Sequence, residues 1–178
     1  IEKNTRMNRR ALHKISYGLY VVSSINSNGK FNGQIADALF QITAEPPAIG
    51  VCINKQNLTH EFIQESKVFT ASVLSQKTPL KFIGHFGFKS GRELDKFKDI
   101  NYRIGMTGAP IVMESTVAYI EVRVINSVDV GTHTIFIGNV IDAEILNDEA
   151  PLTYAYYREV IKGKSPKTAP TYIKEEVK

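Results

Sequence analysis

The chain has 178 residues, of which 43% are hydrophobic, 22% charged and 10% aromatic, the make-up of one folded domain rather than a disordered or fibrous polymer. No apolar run approaches the roughly 20 residues of a membrane helix, and 22 Lys and Arg against 18 Asp and Glu leave a net charge of +4, enough to draw a phosphate-bearing ligand but far short of a nucleic-acid tail. The single cysteine, Cys52, excludes an internal disulfide framework and any multi-thiolate metal site, and it fits a reducing cytoplasm.

The opening IEKNTRM has no apolar core long enough for a secretory signal, so residues 1–8 are read as an N-terminal extension with Met7 as a candidate start. Ala11, Leu12 and Ile15 fall at helical spacing, which predicts a short helix that Gly18 breaks. Leu19 to Ile25 is dense in β-branched and aromatic residues, and Asn26-Ser27-Asn28-Gly29 supplies turn chemistry before Phe31 resumes, which predicts a hairpin. Ala48 to Ile53 follows Pro46-Pro47 and is apolar on both faces, as expected for a central strand. Thr59 is placed to cap a helix running to Glu65, and Thr78-Pro79 repeats that signal, with Val68 to Leu74 a strand between them.

The sharpest strand signals come next. Ile120, Val122 and Val124 alternate with polar neighbours, and Ile135, Ile137 and Ile141 lie two or four apart within Thr134 to Leu146, with Asp129 to His133 as the joining loop. Pro151 to Lys162 has helical spacing and ends at Gly163. The domain is therefore assigned to residues 9–162, and 163–178 to a tail or linker. Many short strands, few helices and no strand-helix alternation predict a mainly β fold, an antiparallel barrel with peripheral helices.

Several familiar motifs fail at a residue their chemistry needs. His60-Glu61 opens like a zinc-protease helix, but Gln64 stands where the second imidazole is required. Gly163-Lys164-Ser165 lacks the earlier glycine of a phosphate loop, because position 158 is Arg158. Gly84, Gly87 and Gly91 are too widely spaced for a dinucleotide fingerprint.

Polar, glycine-flanked segments at strand ends remain. In Asn32 to Gln41, Gly33, Ala36 and Ala38 would let a flat ring approach the main chain, with Gln34 and Asp37 free to bond ring edges; an ordinary turn and strand reads equally from the same residues. Cys52 to His60 runs from a strand end into a helix N-terminus, where Lys55 and Thr59 suit a phosphate or serve plain solvation and capping. Phe86 to Phe97 sets glycines and basic side chains beside three aromatics, as a ligand wall or as a surface loop. His133 is a lone loop histidine, solvated or functional.

Taken in order, the phrases NGQIADALFQITAEPPAIGVCINKQNLTHEFI, HFGFKSGRELDKF, GAPIVMESTVAYIEVRV and GTHTIFIGNVIDAEI resemble one family, the flavin reductase-like proteins. The resemblance implies an antiparallel Greek-key split β-barrel that binds FMN, takes electrons from NADH or NADPH and is a cytoplasmic homodimer. By position it implies that Gln34, Ile35, Ala36, Asp37 and Ala38 line the isoalloxazine and that Cys52, Ile53, Asn54 and Lys55 follow the ribityl chain. Thr59, with Phe86, Gly87, Ser90 and Gly91, would hold phosphate and close the pocket. Asn32, Lys96 and His133 would face the arriving electron donor, with His133, Thr59 and Lys96 the residues of catalytic weight. Members more often carry Ser or Thr near Asp37. Residues 163 to 173 also resemble the linker before a fused rubredoxin; that module needs four cysteines and only Cys52 is present, so the resemblance implies either that the module belongs to a longer form of the protein or that a separate rubredoxin or other redox protein is the partner. Two alternatives stay open: a flavoredoxin-type electron carrier without its own NAD(P)H site, and a non-enzymatic β-barrel that binds nucleic acid.

Overall fold

A computed structural model describes residues 7–172. Residues 1–6 of the expected extension and 173–178 of the expected tail lie outside the described residues. Seven antiparallel strands form one sheet in the order β2-β1-β5-β8-β9-β4-β3, with β1 Tyr20–Ile25, β2 Phe31–Ala36, β3 Leu39–Ala44, β4 Pro47–Asn54, β5 Val68–Leu74, β8 Thr116–Val130 and β9 His133–Ile145. The outermost strands in that order, β2 and β3, are consecutive in the chain and separated only by Asp37 and Ala38. Two residues cannot span an open seven-stranded sheet, so the sheet curls until its edges meet there. The result is a split β-barrel, as the resemblance implies.

Strand burial explains why the apolar runs are continuous rather than alternating. Val21 and Val22 are both fully buried, on opposite faces of β1. Val22 joins Val51, Ile53, Phe69, Val122 and Phe136 inside the barrel, while Val21 packs outward with Phe82, Ile83, Phe86 and Phe97. The outer cluster is the reason for α2 (Leu80–Gly87): it covers a sheet face that water would otherwise reach. Helix α1 (Leu58–Ser66) buries Phe62 and Ile63, and α3 (Tyr154–Glu159) buries Tyr157.

Several elements depart from expectation. The segment Arg9–Lys14 is a 3-10 helix with no buried residue among those described, rather than a helix packed on the domain. β4 lies next to the β3 edge rather than centrally, and its two-sided burial comes from barrel closure. Asn57, not Thr59, is the N-cap of α1, and Pro79 precedes α2 while the Thr78 hydroxyl donates back to the Ser75 carbonyl at 2.6 Å. The β8–β9 connection is only Gly131-Thr132, with Gly131 at φ +76°, a conformation that glycine adopts without strain. The C-terminal helix is shorter than Pro151 to Lys162. A small sheet of β6 (Tyr102–Ile104) and β7 (Pro110–Val112) has no counterpart in the sequence reading.

Candidate functional site

The strand ends and helix termini converge on one cleft of about 260 Å³. β2 and its exit contribute Asn32, Gln34, Ile35, Ala36 and Asp37; β4 contributes Cys52 and Asn54; α1 contributes Leu58 and Thr59. Across from them stand Phe86 and Gly87 from the last turn of α2, the following Phe88 to Gly91, and Lys96. Thirteen of the sequence candidates thus share one wall system. Ala38, Ile53, Lys55 and His133 are outside its lining.

The individual geometries alter several expectations. The Lys55 Nζ donates to Asp129 Oδ2 at 2.6 Å, so its charge is spent on the β8–β9 hairpin instead of facing the cleft. Thr59 is fully buried, and its Oγ1 accepts from Asn32 Nδ2 at 2.8 Å, which ties α1 to β2. Gly91 lets that contact form, since a Cβ there would fall 1.9 Å from Asn32 Oδ1. Lys96, expected at an exposed face, is 4% exposed and donates from Nζ to the Gly33 and Phe86 carbonyls at 2.9 Å each. Burial pushes its ammonium down to about 8. The stretch from Phe86, expected as loop, begins inside α2.

Asp37 sits where the barrel edges meet and is 5% exposed. Desolvation pushes its carboxyl above the ordinary range, partly opposed by the bond from the Thr171 hydroxyl to Oδ2. Burial and the nearby Asp37 raise the Cys52 thiol, which keeps it a poor nucleophile. His133 hydrogen-bonds through Nε2 to the Thr168 carbonyl at 3.2 Å, and Asn54 Nδ2 donates to the same oxygen at 3.2 Å.

The tail is the feature that sequence reasoning missed. Lys164, Ser165, Pro166, Thr168, Ala169 and Pro170 line the cleft, held by Tyr157 Oη to the Lys164 carbonyl at 2.8 Å and by Tyr154 Oη against Ser165 Oγ at 2.6 Å. Proline-rich, polar sequence carries no periodic signal that could have placed it there. Lys89 and Lys164 are also in the lining, whereas Lys55 is not.

The donor and acceptor set can be tested against a flavin. Asn32 Oδ1, Gln34 Oε1 and Asp37 Oδ1 are buried without a partner among the described residues. The N–H groups of a flavin, one in the oxidised ring and more in the reduced ring, are donors for such oxygens. The α1 N-terminus has no side-chain cap bond, which leaves first-turn amides for an anion, with Lys89 and Ser90 in the same lining. The residues present fit FMN.

A family model for the flavin reductase like domain matches residues 12–163. The chain is 53% identical over 166 residues to a high molecular weight rubredoxin of Moorella thermoacetica, covering 93% of this chain and 72% of that protein. It is 49% identical over 170 residues to a ferric-chelate reductase (NAD(P)H) of Archaeoglobus fulgidus, covering 96% and 100%. Among solved structures, an FMN-binding protein from Thermus thermophilus superposes with a TM-score of 0.67 at 27% identity, covering 75% of this chain and 74% of that one.

Proposed function

The chain belongs to the flavin reductase-like domain family, and on that premise we propose that it holds FMN in the cleft between β2, α1 and α2 and passes electrons from NADH or NADPH to an acceptor. Membership sets the oligonucleotide-binding alternative aside. When bound, FMN supplies a ring that accepts a hydride and releases electrons singly or as a pair. The carrying observation is the row of unpartnered buried oxygens on Asn32, Gln34 and Asp37 in that cleft.

The chain's own residues supply position and polarity. The Asn32 to Thr59 bond locks β2 to α1, so the ring wall and the phosphate end keep one spacing. The buried Lys96 fixes the last turn of α2 to β2 and so holds the two walls of the cleft in place. First-turn amides of α1, with Lys89 and Ser90, hold the phosphate. His133, bonded to the tail, orients the arriving donor instead of transferring a proton.

Support for a rubredoxin-like acceptor comes from the Moorella relative's name. A homodimer is supported by Phe40 and Ile42, exposed side by side over Gly50 on β3 and β4, and by Ile125, Val128 and Val130 in solvent on the β8–β9 hairpin. No helix among the described residues is long and apolar enough to cross a membrane, and the lone cysteine supports a cytoplasmic setting.

Reconstitution with FMN, followed by anaerobic mixing with NADH and with NADPH, tests the proposal. Bleaching of the flavin absorbance by either nucleotide is expected; a folded protein that takes up no FMN refutes it. One observation favours a second reading, a carrier reduced only by another protein: the Thr168 carbonyl already occupies both Asn54 and His133 on the donor side. Bound FMN that neither nucleotide bleaches, but a reduced protein partner does, would select that reading.

A further inference from the structure

Asn32 and Asp37 are 3% and 5% exposed, yet each keeps one oxygen unpartnered, as does the half-buried Gln34 between them. Leaving a buried acceptor unpaired forfeits the hydrogen bond it had with water. Three along one wall of a cleft therefore mark donors that a ligand brings. In all three the other polar atom is already bonded, which leaves an oxygen over. Gln34 donates Nε2 to the Ile35 carbonyl at 3.3 Å, which leaves its oxygen over. Asp37 receives the Thr171 hydroxyl on Oδ2, which leaves Oδ1. Asn32 donates to Thr59 and holds its oxygen beside Gly91.

An isoalloxazine changes its hydrogen-bonding character with oxidation state. The oxidised ring has one N–H, at N3, and bare lone pairs at N1 and N5. Reduction by two electrons and two protons places N–H groups at N1 and N5 as well; the hydride of NAD(P)H brings both electrons and one proton, and solvent provides the other. A wall of acceptors along one long edge of the ring repels the lone pair at whichever of N1 or N5 it faces and receives the hydrogen that reduction places there. The Asp37 carboxylate adds to this, because its charge opposes loss of a proton from the reduced ring.

We infer that Gln34 and Asp37 make this cleft bind the reduced isoalloxazine more tightly than the oxidised one, so that FMN remains on the protein through turnover with a raised midpoint potential. This rests on the flavin reading of the same cleft.

The test titrates the apo-protein with oxidised FMN and, anaerobically, with dithionite-reduced FMN, and measures the midpoint potential of bound against free FMN. The reduced form is expected to bind at least tenfold more tightly, equivalent to a shift of about +30 mV for a two-electron couple. Asp37→Asn, whose amide can present an N–H to the ring, and Gln34→Leu, which removes an acceptor, should each shrink the ratio several-fold, with folding checked by circular dichroism. Equal affinities, tighter binding of the oxidised form, or a ratio that neither substitution moves would overturn the inference while leaving the flavin reading intact. Apo-protein that takes up neither form would overturn both.

Discussion

Lys96 is the residue whose environment has the clearest consequence in solution. Its folded value of about 8 lies below the ordinary 10.5 of lysine, so between those values the unfolded chain binds more protons than the folded one. Stability from this group therefore rises with pH from about 8 to 10.5 and is flat below 8. Lys96→Met should remove that rise, on the order of 1–3 kcal/mol across the window. The same substitution strips the Gly33 and Phe86 carbonyls of their donor, so the variant should also be less stable at pH 7 by a few kcal/mol. Urea midpoints of both proteins at pH 7, 8 and 10 check both parts. Asp37 has the opposite sign. Its raised folded value favours the protonated form, so its contribution is fully present below the ordinary carboxylate range and is lost as pH rises through the raised value. Asp37→Asn should accordingly gain stability relative to the parent at pH 7 more than at pH 4, measured by the same melts. A carboxylate kept at such a cost is understandable where a ligand uses it.

At the scale of elements, a buried carboxylate pins the turn between β6 and β7, while the Thr70 and Ser72 hydroxyls donate to the Pro110 and Val112 carbonyls of β7. Glu121 projects from β8, is fully buried, and accepts from the Met106 and Thr107 amides in the turn between the two short strands. Glu121→Ala should cost about 3 kcal/mol, and amide exchange at residues 105–108 should accelerate before the rest of the barrel opens. Slow exchange there in the variant would contradict this anchoring role. Lone glutamate in an alternating strand reads as solvent-facing, and only the fold of the 105–108 turn onto it turned Glu121 inward. The tail shows a similar limit. Truncation after Gly163 removes the Thr168 carbonyl from Asn54 and His133. The shortened protein should retain FMN and be bleached by NAD(P)H several-fold faster in stopped-flow traces; an unchanged rate would mean that the tail does not stand in the donor's way. The helix starts were displaced by one or two residues for a local reason: the hydroxyls of Thr59 and Thr78, suited to capping, found buried partners instead.

For the whole molecule, the apolar side chains of β3 and the β8–β9 hairpin are exposed among the described residues. A second copy would bury them, and Phe40→Glu combined with Val128→Glu should shift light scattering from dimer to monomer while the far-ultraviolet spectrum is kept. A parent protein that is monomeric at micromolar concentration would refute the homodimer. The strands themselves were legible from sequence, since alternation in Thr116–Val130 and His133–Ile145 and two-sided apolar runs in β1, β4 and β5 are properties of neighbouring residues. So was most of the cleft lining, because the segments that carry it are continuous. What local pattern could not disclose was decided by long-range placement. The sheet closes on itself at Asp37-Ala38, which buries a carboxylate there; the β8–β9 hairpin reaches Lys55 and draws it off the cleft; α2 and β2 enclose Lys96; and residues 164–171 fold back over the site. Each of these depends on groups dozens of residues apart meeting in space, where burial and pairing set the energies that no neighbouring residue announces.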